Sequence, residues 1–108
     1  MAENSLTALA LANDIRSRRA AEKKRIFALP RQEGRNAVAD LIEELPDWLE
    51  SERLTRFLSY PQRSGEEYAR KIRLRASNPY WPIGEDVRLR DLTADQRERI
   101  ALYLREGV

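Results

Sequence analysis

The sequence predicts an all-α protein, and three observations carry that prediction. From Asn4 or Ser5 to Leu29 the chain holds no Gly or Pro and is dominated by Ala, Leu, Arg, Glu and Lys, the stronger helix formers. Val38, Leu41, Ile42 and Leu45 follow the i, i+3, i+4, i+7 spacing of one helix face. Nowhere does polarity alternate with period two for long enough to make a strand. The expected architecture is a long N-terminal helix followed by a compact four-helix domain, with residues 1–33 as helix and loop and 34–108 as the domain.

Each element has its own warrant. The first helix, roughly 24 residues and about 36 Å long, stops at Pro30. Its apolar residues gather in the first half (Leu6, Leu9, Leu11, Ile15) and at the very end (Ile26, Phe27). Between them, Arg16 to Arg25 is too polar to be buried, so this stretch needs another partner or stands in solvent. Pro30 to Arg35 reads as a loop. A second helix starts near Asn36 and ends at Pro46, and Asp47-Trp48-Leu49 begins a turn. A short third helix, Arg53 to Ser59, offers Leu54, Phe57 and Leu58 to the core.

Tyr60 to Gly65 reads as a tight connection. Ser64 followed by Glu67 is a capping-box pattern, placing a fourth helix from there to about Ala76. Ser77 to Gly84 reads as an ordered loop packed on the core, because Tyr80, Trp81 and Ile83 are costly to leave in water. Thr93 with Gln96 is a second capping-box pattern, and the last helix runs from about Ala94 to Glu106, with Ile100, Ala101 and Leu104 inward. Helices two to five would share one modest core of about 70 residues, stable by only a few kcal/mol.

The composition excludes several chemistries. With neither Cys nor His there is no zinc finger, iron–sulfur ligation, Cys–His nucleophile or Ser–His–Asp triad. No apolar run approaches the ~20 residues that span a bilayer, and Met1-Ala2-Glu3-Asn4 has no basic n-region. The expectation is a soluble, cytoplasmic protein with no membrane partner. Glu43-Glu44, Glu66-Glu67 and Glu85-Asp86 are the carboxylate pairs that metal-assisted phosphodiester chemistry would require. Glu66 and Glu67 are accounted for by a helix first turn, where the macrodipole favours anions, and the other pairs by exposed faces or loops. No phosphate loop or nucleophile elbow is present. The expectation is therefore no enzyme, no cofactor and no metal site.

The charges point elsewhere. The net charge is only +2, and 17 of the 20 basic residues are Arg. Arg suits phosphate and the guanine edge, although a GC-rich coding sequence raises Arg equally well. Residues 1–35 carry 8 basic and 4 acidic groups, residues 36–61 carry 2 and 6, and residues 62–108 carry 10 and 8. Basic ends around an acidic middle suggest one surface that attracts phosphate. Arg16, Arg19 and Lys23 share a helix face at i, i+3, i+7. Arg63 in the hairpin, and Arg88 with Arg90, stand at helix entrances, where backbone N–H groups add to anion binding.

Three stretches resemble the actinobacterial integration-host-factor type of nucleoid-associated protein. The basic run Arg16-Ser17-Arg18-Arg19-Ala20-Ala21-Glu22-Lys23-Lys24 is similar to that family's arginine-rich helix. Leu54-Thr55-Arg56-Phe57-Leu58, followed by Pro61, Gly65 and Ala69, resembles its leucine-rich helix and hairpin. Arg88-Leu89-Arg90-Asp91-Leu92-Thr93-Ala94-Asp95-Gln96-Arg97 is like its Arg-Leu-Arg-x-Leu-x-x-x-Gln-Arg segment. The resemblance implies a helix-two-turns-helix domain and a monomeric, architectural binder of double-stranded DNA at the nucleoid, with little sequence preference. The contacts that the resemblance implies are Arg16, Arg19, Lys23, Gly65, Arg88 and Arg90, and Arg63 joins them as a candidate on its place in the hairpin. Gly65-Glu66-Glu67-Tyr68-Ala69 departs from the family's Lys-x-Lys-Ala, placing carboxylates where cations belong, and Ser77 to Asp86 is an aromatic-rich insertion. Two alternatives stand beside this reading: a protein-interaction module using the acidic middle and the aromatic loop, and an RNA binder.

Overall fold

The computed structural model describes the backbone of residues 2–106 and the side chains of residues 7–106. The chain start read above for a targeting signal, and the Leu6 side chain, lie outside the described side chains. Among the described residues the fold is all-α: α1 (Ala2–Ala28), α2 (Arg31–Glu44), α3 (Leu54–Leu58), α4 (Glu66–Ala76) and α5 (Ala94–Glu106), with 3₁₀ turns at Asp47–Leu49 and Leu89–Asp91. A lone antiparallel bridge joins Arg53 and Arg88. The five expected helices are present, and α4 and α5 end where the sequence put them.

The link between α1 and α2 is shorter than expected. Residues 31–35, read as loop, are the first turns of α2. Pro30 ends α1 yet suits a helix start, because its φ of −52° is already near the helical value and its missing N–H costs nothing there. Gly34 looked like a loop residue but serves packing. A Cβ on it would stand 3.0 Å from the Ile26 carbonyl oxygen and 3.2 Å from Pro61 Cβ. The end of α1, the start of α2 and the α3–α4 hairpin therefore meet at this one residue.

The core is built from the faces the spacing assigned. Val38, Ala39 and Ile42 of α2, Leu54, Phe57 and Leu58 of α3, Ala69 and Ile72 of α4, and Ile100, Ala101 and Leu104 of α5 are fully buried. The most extensive helix pairing is α2 with α5. Gln32 crosses it, donating from Nε2 to the Leu104 carbonyl at 2.9 Å. Arg105 forks between Asp40 (2.7 Å) and Glu43 (2.6 Å). From α1, Ile26 is fully buried while Phe27 stays exposed.

Two local expectations fail for identifiable reasons. Ser64 does not cap α4: the N-cap is Gly65, without a side-chain cap. The Ser64 hydroxyl instead accepts from Arg35 Nε at 3.0 Å. Arg35, buried and stacked 3.7 Å from the Tyr68 ring centroid, also donates to the Arg63 carbonyl, so the hairpin is clamped from α2. By contrast the Thr93–Gln96 box closes reciprocally, with Thr93 N–H on Gln96 Oε1 and Gln96 N–H on Thr93 Oγ1. In the 77–84 loop, Ile83 is buried, but Tyr80 and Trp81 are 86% and 65% exposed. The loop is fixed through its backbone, and that fixing points both rings outward.

Candidate nucleic-acid interface

The polar middle of α1 finds its partner in the first 3₁₀ turn. Arg19 donates from Nε to the Trp48 carbonyl at 2.9 Å and from Nη2 to Ser51 Oγ. Arg18 lies 5.6 Å from the Trp48 ring centroid and pairs with Glu22. From the other side Arg88 donates to the Ser51 carbonyl. Arg19 and Arg88, 69 positions apart along the chain, thus converge on one serine. Both fasten α1 and the segment before α5 to the turn between them, with donors left over, since a guanidinium carries five N–H groups.

From Ser51 the cations continue into a groove. The Arg53–Arg88 bridge, with Leu54 N–H on the Val87 carbonyl and Leu89 N–H on the Glu52 carbonyl, sets the start of α3 beside the Arg88 segment. A shallow groove of about 420 Å³ then opens, lined by Lys23, Arg53, Thr55, Arg56, Ser59 and Glu66. Arg53, Thr55 and Glu66 also border a second hollow of about 250 Å³ that adds Arg70, Arg73, Glu85 and Asp86. Three helices supply this surface, and α3 contributes because burying Leu54, Phe57 and Leu58 leaves Arg53 and Arg56 facing out.

The groove stands on a firm wall. The Lys23 ammonium lies 5.9 Å from the Tyr60 ring centroid. Tyr60 is buried, packs edge-on against Phe57 at 4.8 Å and donates its hydroxyl to Glu52 Oε2 at 3.0 Å. Burial first, and the neighbouring Glu52 carboxylate second, push the Tyr60 phenol well above its usual range. Nearby, burial lowers the Arg35 guanidinium from its ordinary value and raises the Tyr68 phenol.

The expected contact residues fall into three groups. Arg16 and Arg90 are exposed, with no ion pair among the described residues. Arg19, Lys23 and Arg88 belong to the connected surface just traced. Arg63 and Gly65 stand on the hairpin next to Glu66, which lines the groove. Arg63 is exposed and left-handed, with φ of 59°. Gly65 has ordinary extended backbone, and a Cβ on it would meet nothing within 4 Å inside the protein. Its open surroundings leave room for an external group.

Arg53, Arg56 and Arg70 were not singled out by the sequence reading. The signal for the first two was there, since a five-residue helix burying three apolar side chains must expose the polar ones between them. Arg70 belongs to a helix with cations on several faces, and only the hairpin geometry selects it. Among the described residues no group of three or more acidic side chains is arranged to hold a metal ion, and no helix is long and apolar enough to cross a membrane. No protein-family model matches the chain, and no curated protein or solved structure matches it.

Proposed function

We propose that the protein binds duplex DNA through its phosphate backbone, as an architectural protein with little sequence preference. The observation that carries this reading is the convergence of Lys23 from α1 with Arg53 and Arg56 of the α3 segment on one groove that also holds the Thr55 hydroxyl, with Arg70 of α4 in the hollow adjoining it. Cations on rigid elements, with the Thr55 hydroxyl between them, suit phosphate oxygens and carry no base code. Arg19 and Arg88 position the surface, Arg63 and Gly65 extend it at the hairpin, and Arg16 and Arg90 lie on the same elements as Arg19 and Arg88. The three stretches similar to integration-host-factor-type proteins agree with this assignment, with α3, the hairpin and α4 taking the place of the two-turn unit.

A titration of random duplex DNA against salt tests it. Log affinity should fall linearly with log salt, with a slope of about −0.9 per phosphate neutralised. Absence of binding at low salt into the tens of micromolar overturns the reading. Deleting residues 1–30 is the wrong way to probe α1, because it removes Ile26 from the core. Arg16→Glu tests the same helix without touching a buried side chain.

A further inference from the structure

An apolar groove lies apart from the cationic one. Leu11, Ile15 and Trp48 floor a recess of about 580 Å³ between the first half of α1 and the first 3₁₀ turn. Leu11 is 60% exposed, and Ile15 and Trp48 are only partly buried, so the floor faces solvent. Both walls are held in place. Arg19 ties α1 to the turn through the Trp48 carbonyl at 2.9 Å, and Arg18 lies 5.6 Å from the Trp48 ring centroid. Apolar surface gathered in a fixed recess and rimmed by charge marks a docking site rather than a stray exposed side chain.

The rim decides the occupant. Asp14 from α1 and Asp47 from the turn border the floor. Glu44 and Glu50, three residues to either side of Asp47, are exposed as well. None of these four carboxylates has an ion pair among the described residues. Against them stand Arg18, paired with Glu22 at 3.4 Å, and Arg19, turned onto the Trp48 carbonyl and Ser51. The free charge around the recess is therefore negative.

We propose that this groove docks a basic amphipathic helix of a partner protein. The helix sets its apolar side chains on Leu11, Ile15 and Trp48 and its Lys or Arg side chains on the Asp14 and Asp47 carboxylates. A helix suits the recess because apolar residues at i, i+3, i+4 and i+7 enter a single groove. Charge complementarity selects this occupant over the others. A nucleic acid or an anionic bilayer is repelled by the rim. The 77–84 loop of a second copy is repelled too, because Glu85, Asp86 and Asp95 stand exposed around Tyr80 and Trp81.

Two synthetic peptides of about 14 residues, roughly four helical turns, test it. One is built of Leu and Lys, with leucines at i, i+3, i+4 and i+7; the other has every Lys replaced by Glu. Titrated into the full chain and followed by two-dimensional NMR, the Leu/Lys peptide should bind in about the 1–100 μM range. The largest shifts should fall on Leu11, Ile15 and the Trp48 indole. The Leu/Glu peptide should bind at least about tenfold more weakly. Leu11→Gln should weaken the Leu/Lys peptide by about tenfold. Asp14→Lys with Asp47→Lys should reverse the preference between the two peptides. All three positions are exposed, so unfolding midpoints should stay close to wild type. A Leu/Lys peptide that does not bind overturns the proposal. So does a preference that survives the charge reversal, and so do shifts centred on Tyr80 and Trp81. An unchanged affinity in Leu11→Gln has the same force, since charge alone would then hold the peptide. The cationic groove shares none of these residues, so its DNA titration stands or falls separately.

Discussion

Arginine has opposite roles on two faces of this protein. On the α2–α5 face, Arg105 sits between Glu43 and Asp40, and the hydrogen bond to Glu43 first, then that to Asp40, holds its guanidinium still more firmly charged. Its charge is cancelled within ångströms. At the α1–α3 groove, Lys23, Arg53 and Arg56 face a single lining carboxylate, Glu66, and Arg53 alone is met from outside it, by the exposed Asp86 at 4.0 Å. Half of the acidic middle of the sequence is neutralised or hidden, while Glu44, Asp47 and Glu50 stay exposed. Two of its carboxylates are taken by Arg105, and Glu52 is buried beneath Tyr60. What attracts a phosphate is unpaired charge in one place, which a segment-by-segment count does not report.

Reversing charges on the two faces should break this symmetry of composition most visibly. Arg53→Glu with Arg56→Glu should weaken duplex binding by about 100-fold at low salt and flatten the salt slope by about 2. Its unfolding curve should stay close to wild type, since both side chains are exposed. Arg105→Ala should leave binding unchanged and cost about 1 kcal/mol or less, as exposed ion pairs do. Equal loss of binding from both variants would mean that net charge, not the groove, sets affinity.

The wall under the groove carries a pH signature through Tyr60, and the hairpin clamp carries one through Tyr68. Tyr60 and Tyr68 both have phenols raised by burial above the ordinary value of 10.0. The folded state then holds protons that the unfolded chain releases. The stability these two phenols contribute should be level below pH 10.0 and fall as pH rises above it toward the folded values. Tyr60→Phe should lose about 1–3 kcal/mol near neutral pH, because Glu52 is left buried with the Arg53 N–H as its remaining partner. It should also flatten the alkaline decline. Thermal melts of both proteins between neutral pH and pH 11 measure the two effects together.

How much of this was legible depended on whether a residue's environment was local. Helix faces, the Thr93–Gln96 box and the ends of α4 and α5 follow from spacing within a turn or two, and the sequence carried them. Gly34 was misread because its reason lies in Ile26 and Pro61, the latter 27 positions away in the sequence. Ser64 was misread as a cap because Arg35, from another helix, claims its hydroxyl. The exposed Tyr80 and Trp81 were misread because hydropathy favours burial, while Asn78, Ser77 and Arg73 fix the loop the other way round. In the candidate site, single cations were visible in the sequence. Their grouping was not, because the Ser51 junction and the Arg53–Arg88 bridge join segments that no periodicity relates.

Glu66 is the exception within the groove, and neutralising it sharpens the contrast. A carboxylate that lines a phosphate track repels the ligand while easing the mutual repulsion of the surrounding cations. Glu66→Gln should tighten duplex binding by about 3–10-fold at low salt, with the gain shrinking as salt screens it. Glu67, absent from the groove lining, should give a smaller gain on the same change. A larger gain at Glu67 would mean that DNA approaches the hairpin from its far side.

The smallest effect separates stability from binding at the hairpin itself. Arg63 occupies a left-handed position at φ 59° in a turn closed by Ser64 N–H on the Pro61 carbonyl, where glycine is the relaxed residue. A cation held there against its backbone preference costs stability, and the Arg35 clamp on the Arg63 carbonyl and on Ser64 keeps it in place. Arg63→Gly should therefore raise stability by about 0.5–1 kcal/mol while lowering duplex affinity a few-fold. Gly65→Ala supplies the complementary case. With open space around its Cβ it should leave stability nearly unchanged, and it should weaken binding if a phosphate approaches the backbone there. If Arg63→Gly gains stability with no loss of affinity, the hairpin lies off the DNA, and the interface is confined to the groove between α1 and α3.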